Sequence, residues 1–241
     1  MTSDTSNVPE HLPTPPVEGR AELPLDDPFA GDLRGFGPLG ILAILVIVAG
    51  QIVAPLSAVL ILIWAWRSHT PWREIGYVRP RSWTQTVAIG IVFGVAFKFV
   101  MKAVVMPLLG ADPINYAYHY LVGNRAALPA AIFTMIVVAG FGEETVFRGY
   151  MFERFRKLLG SGVWSKSFIV VLTTVLFALA HYGSGLAAVE QAVITGLVFG
   201  TIFAITGRIF MLMVAHAAFD LTAVAMIYWN LEAKVAHLIF K

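Results

Sequence analysis

The chain has 241 residues, of which 58% are hydrophobic and 13% are charged, whereas about 25% of the residues of a soluble domain are charged. With a mean hydropathy of +0.75, this composition indicates a membrane protein. The formal net charge of +2 provides no basic surface for nucleic acid, and the absence of cysteine excludes disulfides, thiolate metal sites and a cysteine nucleophile.

The segment 1–34 is acidic and rich in proline. It contains seven acids, two arginines and six prolines. Such a segment cannot bury enough apolar surface to order itself. We therefore expect a disordered tail over residues 1–34, followed by one transmembrane domain over residues 35–241.

Six apolar segments follow the tail. About 20 apolar residues cross the hydrocarbon core as a helix, and a backbone in lipid must pair its own polar groups. The predicted fold is therefore all-α, a polytopic transmembrane bundle of about six spans. The first span is long enough to tilt or to kink at Pro55. The predicted spans are 36–66, 85–109, 126–147, 167–181, 186–206 and 209–229.

Basic residues are concentrated in two loops between these spans. Residues 67–81 carry four arginines and one glutamate, and residues 148–166 carry five bases and one glutamate. The positive-inside rule places both loops in the cytoplasm. Six spans would then leave both termini outside, and the expected location is the plasma membrane of a bacterial cell.

Ionisable residues occur inside three of the later spans. Such residues are costly in lipid, and they are tolerated where they pair with one another or serve a function. They are predicted to form one polar site and are the candidate catalytic residues. The candidates are Glu143, Glu144 and Arg148 in the third span, His181 at the end of the fourth, and His216 and Asp220 in the sixth.

A turn at residues 160–162 predicts that two of these motifs meet. Glu143 and His181 are spaced equally about Gly162, the first before it and the second after it. If the two arms form an antiparallel hairpin, both side chains lie at the same depth, because both helices rise by the same distance per residue. In the alternative, residues 149–158 lie flat at the interface and His181 is across the bilayer from Glu143.

The spacing within two motifs predicts which side chains pair. Glu144 and Arg148 are four residues apart, the favourable order for an ion pair on one helix face. This pair would leave Glu143 free to act as a general base. His216 and Asp220 have the same spacing, so Asp220 can orient the imidazole.

Each polar residue also has an ordinary structural explanation. Paired glutamates often cap a helix, and intramembrane polar contacts often only hold helices together. Lys98 and Lys102 are predicted to snorkel toward an interface. Glu190 and Gln191 are expected in the first turn of the fifth span, where a carboxylate complements the helix dipole.

Taken together, the three motifs resemble those of the CAAX-protease and bacteriocin-processing family of intramembrane peptidases, which includes the type II prenyl-protein endopeptidases. That family carries Glu-Glu-x-x-x-Arg, Phe-x-x-x-His and His-x-x-x-Asn or Asp in this order on successive helices. The resemblance covers about residues 126–230. The matching residues here are Glu143, Glu144 and Arg148, then Phe177 and His181, then His216 and Asp220.

The resemblance implies a role for each motif. Glu143, assisted by His181, would activate the water, and Glu144 with Arg148 would hold the site or engage the substrate. His216 and the residue at position 220 would lie where the oxyanion develops. In the prenyl proteases that the chain resembles, the residue at the position of Asp220 is asparagine, whose amide can donate a hydrogen bond to an oxyanion. Asp220 donates a hydrogen bond only if protonated, so we predict His216 as the oxyanion donor.

The predicted function is that of an endopeptidase that hydrolyses a peptide bond in a membrane-associated or lipid-anchored substrate. We expect no metal and no other cofactor, because no His-Glu-x-x-His motif is present; a zinc ion held by the histidines and carboxylates is the alternative. Two other functions remain open. One is a catalytically silent scaffold or immunity protein of the same fold, and the other is a proton-coupled transporter, since acid and histidine chains also carry protons.

Overall fold

The apolar segments of the chain form helices. The structure is a computed structural model that describes residues 27–53 and 55–240, and this part of the chain contains no strand. The helices are α1 (Pro28–Arg34), α2 (Pro38–Ala49), α3 (Leu56–Arg67), α4 (Trp83–Leu108), α5 (Arg125–Leu159), α6 (Val163–Ala180), α7 (Leu186–Thr206), α8 (Phe210–Tyr228) and α9 (Glu232–Ala236).

Helices α4 to α8 are each long and apolar enough to cross a membrane, and the bent pair of α1 and α2 counts as a sixth candidate if taken as one span. The predicted fold class, an all-α polytopic bundle of about six spans, is confirmed. The protein is an integral membrane protein.

The path predicted for the first span is wrong. Helix α2 has 12 residues and is about 18 Å long, which is too short to cross a core about 30 Å thick. The indole Nε1 of Trp64 donates to the carbonyl of Leu33 at 3.0 Å, and the hydroxyl of Ser57 donates to the carbonyl of Ile47 at 2.6 Å. Helices α2 and α3 therefore form a hairpin, and the chain reverses near Pro55.

Helix α1 begins within the predicted tail. Its N-terminus is capped by the carboxylate of Asp27, which accepts from the backbone N–H of Ala30 at 3.2 Å. The predicted disorder of residues 1–26 lies outside the described residues, whereas residues 28–34 are helical. Helical structure is thus present before the predicted boundary at residue 34.

The reversal near Pro55 also changes the predicted sidedness. The guanidinium of Arg34 pairs with Glu74 at 2.8 Å, so α1 lies on the same face of the bundle as the arginine-rich loop at 67–82. If that loop is cytoplasmic, α1 is cytoplasmic too. Because a hairpin replaces a span, α1 and the arginine-rich loop lie on the same side, whereas the prediction placed them on opposite sides.

The hairpin of α5 and α6 is formed as predicted. Helix α5 continues to Leu159, about three turns beyond the predicted end at 147, and α6 returns from Val163. The rings of Phe147 and Phe177 pack edge to face across the hairpin with centroids 5.0 Å apart. The alternative in which residues 149–158 lie flat at the interface is therefore wrong.

Helix α8 packs against both α4 and α5 through glycines. A Cβ at Gly94 of α4 would overlap the carbonyl of Ala215. A Cβ at Gly140 of α5 would lie 2.8 Å from the carbonyl of Met213 and 2.9 Å from the Cβ of Ala217. These close approaches place α8, and with it His216, against the motif of α5.

We expect Gly94→Ala to destabilise the protein by about 1–3 kcal/mol, because the added methyl group forces α4 and α8 apart in a packed interface. The free energy of unfolding in detergent measures this loss. Gly31→Ala is the matched control, since a Cβ at Gly31 meets no atom within 4 Å and alanine favours a helix. Equal unfolding free energies of the two variants would contradict the close packing of α4 on α8.

Candidate active site

The Glu-Glu-x-x-x-Arg motif lies in the middle of α5, where the hydrogen bonding widens to π-helical turns over Thr134–Tyr150. Such turns frequently occur at functional sites. The side chain of Glu144 is fully buried, and that of Arg148 is 2% exposed. Arg148 Nη1 donates to Glu144 Oε1 at 2.9 Å, so the predicted ion pair is present.

Aromatic rings enclose this ion pair. The guanidinium carbon of Arg148 lies 4.8 Å from the ring centroid of Phe177 and 5.6 Å from that of Phe199. Both phenylalanines are almost fully buried. Arg148 is thus desolvated and held between α6 and α7, which fixes Glu144 in turn.

A tyrosine from the loop before α4 supports the same helix. Thr145 donates its hydroxyl proton to the carbonyl of Phe141 at 2.7 Å, so the hydroxyl of Tyr77 must donate in its own 2.7 Å contact with Thr145. Burial raises the pKa of Tyr77 to about 12. The phenol therefore keeps the proton that this bond requires at neutral pH.

His216 of α8 hydrogen-bonds to the motif of α5. Its Nδ1 lies 2.7 Å from Glu144 Oε1, the oxygen that also accepts from Arg148. A carboxylate only accepts, so Nδ1 carries the proton in this bond. Its Nε2 lies 3.7 Å from Glu143 Oε2 and 3.5 Å from Asp220 Oδ2.

This arrangement corrects the predicted partner of His216. Asp220 is near the ring as expected, but the short hydrogen bond that fixes the tautomer comes from Glu144. Sequence spacing found the contact within α8 and missed the contact between α5 and α8. The sequence contains one indication of this contact, the second acid of the Glu-Glu pair. The spacing of that acid from Arg148 is already explained by their ion pair.

His181 lies at the end of α6, where its ring packs on Phe177 with centroids 4.5 Å apart. Its Nδ1 lies 2.9 Å from the carbonyl of Phe177 and therefore donates, which leaves Nε2 as the free nitrogen. The ring of Phe177 is also 6.1 Å from that of His216. Phe177 thus packs against both histidines.

One cavity of about 430 Å³ joins the three motifs. Glu143, His181, His216 and Asp220 line it, whereas Glu144 and Arg148 lie behind its wall. Of the two roles predicted for Glu144 and Arg148, the structure is consistent with holding the site, since neither side chain reaches the cavity.

The two adjacent glutamates differ in what surrounds them. Glu144 Oε1 accepts from both Arg148 and His216. Glu143 Oε2 is buried and accepts no hydrogen bond from any described residue. Buried polar atoms are rarely left without a partner, so Glu143 is the glutamate of the pair whose Oε2 is not committed to a structural hydrogen bond.

The zinc alternative requires several ligands around one point. Among the residues that the structure describes, no three or more His, Asp or Glu side chains form such a group. The side chains present do not fit an open tetrahedral zinc site, and no step is assigned to zinc.

A second polar cluster in the same cavity was missed by sequence reasoning. Lys98 is only 7% exposed and donates to Gln191 Oε1 at 2.8 Å. Lys102 pairs with Glu232 of α9 at 3.3 Å. Both lysines were predicted to snorkel, which is wrong, because partners from α7 and α9 hold them inside the bundle.

Comparison with known proteins bears on the same helices. Residues 125–222 match the family described as type II CAAX prenyl endopeptidase Rce1-like. No curated protein and no solved structure matched the chain. The matched residues include all three motifs, from Glu143 to Asp220, and they lie almost entirely within the segment 126–230 that carried the resemblance. Over this segment, which is less than half of the chain, the protein is similar to the Rce1-like, type II CAAX prenyl endopeptidase family of membrane proteases.

Proposed function

We propose that the chain is an intramembrane endopeptidase that hydrolyses a peptide bond of a membrane-associated or lipid-anchored substrate, with Glu143 as the base that activates water. The observation that carries this proposal is the difference between the two glutamates. Arg148 and His216 occupy Glu144, whereas Glu143 Oε2 has no hydrogen-bond partner among the described residues and the Glu143 side chain, 24% exposed, lines a cavity that both histidines also line.

In the proposed first step, Glu143 accepts a proton from a water molecule while the water oxygen bonds to the substrate carbonyl carbon. Nε2 of His181 accepts a hydrogen bond from the same water and orients it. General-base catalysis of this kind contributes about 10²–10⁴-fold to a rate. The product of the step is a tetrahedral oxyanion and a protonated Glu143.

His216 is the proposed donor to the oxyanion. With both nitrogens protonated, its Nε2–H can donate to the oxyanion while Glu144 stabilises the imidazolium through Nδ1. A donor of this kind contributes about 2.7–4 kcal/mol to transition-state stabilisation. Asp220, 3.5 Å from Nε2, holds the ring in position and is not itself required to donate.

The second step breaks the carbon–nitrogen bond. The protonated Glu143 returns its proton to the leaving nitrogen as the carbonyl re-forms. The products are a carboxylic acid and an amine, and Glu143 is again a carboxylate. Apart from the substrate and water, neither step needs a group from outside the protein.

The test is cleavage by the purified protein in liposomes. We expect it to cut members of a library of membrane-embedded peptides, offered with and without a prenyl group, and mass spectrometry of the new termini locates the cut. A chelator should leave the rate unchanged, because no zinc ligand set is formed among the described residues. A protein that binds the peptides without cutting any would favour the scaffold function instead.

A further inference from the structure

The cavity extends from the proposed catalytic glutamate to a buried cation. Lys98 lies in the second half of α4, and both Lys98 and Gln191 line the cavity that contains Glu143. The ammonium nitrogen of Lys98 lies 2.8 Å from Gln191 Oε1 and 4.5 Å from the ring centroid of Phe219. An amide oxygen and an aromatic face thus surround the ammonium.

Lys98 differs in this respect from the lysine one turn further along the helix. Lys102 donates to the carbonyl of Pro113 at 2.6 Å and pairs with Glu232. Lys98 forms no ion pair with any carboxylate of the described residues. Asp220 and Glu232 act on the Lys98 charge from a distance, but no described carboxylate contacts the ammonium, and burying a charge without a directly paired counter-charge is costly.

Hydrogen-bond donors remain available at this point. An ammonium carries three N–H donors and no acceptor, and Gln191 uses one of them. Because the ammonium can only donate, the oxygen of the Gln191 amide faces it, and the amide NH₂ group is left as a further donor. Lys98 and Gln191 can therefore donate together to the two oxygens of one carboxylate.

We propose that Lys98 and Gln191 form a subsite for a carboxylate of the peptide substrate; the inference rests on the endopeptidase function proposed above. Charge orients the substrate, because Lys98 attracts a carboxylate and Glu143 repels it. A neutral peptide bond is then left beside Glu143. The carboxylate is either the free C-terminus of the peptide or an acidic side chain.

Peptide binding to the full chain in nanodiscs tests the subsite. The probes are N-acetylated trileucine as the free acid and as the C-terminal amide, and an amidated peptide with one aspartate beside its asparagine counterpart. Binding is measured in the Glu143→Gln background, so that turnover does not consume the probe. We expect one carboxylate probe to bind about tenfold tighter, or more, than its neutral counterpart, the range for a hydrogen bond to a charged group.

Two substitutions remove the subsite in different ways. Lys98→Met removes the charge and keeps the length of the side chain. Gln191→Glu keeps the lysine and places a permanent carboxylate on it, so it remains informative if Lys98→Met does not fold. Either change should make the acid and the neutral probe bind equally. The joint change of Lys102→Met and Glu232→Gln removes the neighbouring ion pair as a unit and should retain the preference.

The outcomes separate this proposal from the function on which it rests. A preference that either subsite variant retains, or no preference while Lys98 is intact, overturns the subsite. A preference that requires Lys98 in a protein that cuts no peptide supports the subsite and rejects the hydrolase. Preference for the free acid identifies the C-terminus as the source of the carboxylate, and preference for aspartate identifies the side chain.

Discussion

We expect Glu143→Gln to lower the rate of peptide cleavage by at least about 100-fold, the lower range of what general-base catalysis contributes. Glutamine has the shape of glutamate but cannot accept the proton of the attacking water. Glu143 lines the cavity, and its Oε2 accepts from no described residue. The substitution therefore breaks no hydrogen bond of that oxygen, and the fold should be retained.

The measurement compares initial rates of cleavage by the wild type and the variant in liposomes at equal amounts of folded protein. Glu190→Gln is the matched control, since it removes a carboxylate from α7 that does not line the cavity. We expect this control to cleave at the wild-type rate. Full activity of Glu143→Gln would show that another group activates the water.

Arg148→Met should destabilise the protein by about 3–5 kcal/mol, the cost of removing one partner from a buried ion pair. The carboxylate of Glu144 is fully buried and would lose its permanent cation. Only His216 would remain beside Glu144 Oε1. The free energy of unfolding in detergent, extrapolated to zero denaturant, measures the effect.

A double substitution separates stability from activity. Glu144→Leu combined with Arg148→Met replaces the pair with apolar side chains, a change that is often neutral or stabilising. We expect it to recover most of the lost stability. Cleavage should stay impaired, because Nδ1 of His216 no longer has the acceptor that holds the ring. If Arg148→Met unfolds at the same denaturant concentration as the wild type, the ion pair is not a structural support.

The adjacent glutamates show why identical residues can have different roles. One residue along a helix rotates a side chain by about 100°. Glu144 therefore faces Arg148 and His216 in the core, whereas Glu143 faces the cavity. In the proposed mechanism the buried glutamate holds the histidine and the neighbouring glutamate performs the proton transfer.

The sequence by itself determined the features that depend on composition and on short spacing. A chain that is 58% hydrophobic must pair its own backbone groups in lipid, and its apolar runs have the length of membrane-spanning helices, so the fold class was predicted. The ion pair of Glu144 and Arg148 follows from their separation by one helical turn. The hairpin that brings α6 beside α5 follows from the turn at residues 160–162.

Only the tertiary structure decided the contacts between residues far apart in the chain. The hairpin of α2 and α3 depends on the contact of Trp64 with Leu33, and the burial of Lys98 depends on Gln191, 93 positions away. Helical periodicity predicts which face of its helix a residue occupies. It does not predict which other helix packs against that face. That choice follows from the packing of the whole bundle, where glycines such as Gly94 allow α8 to approach closely enough for His216 to reach Glu144.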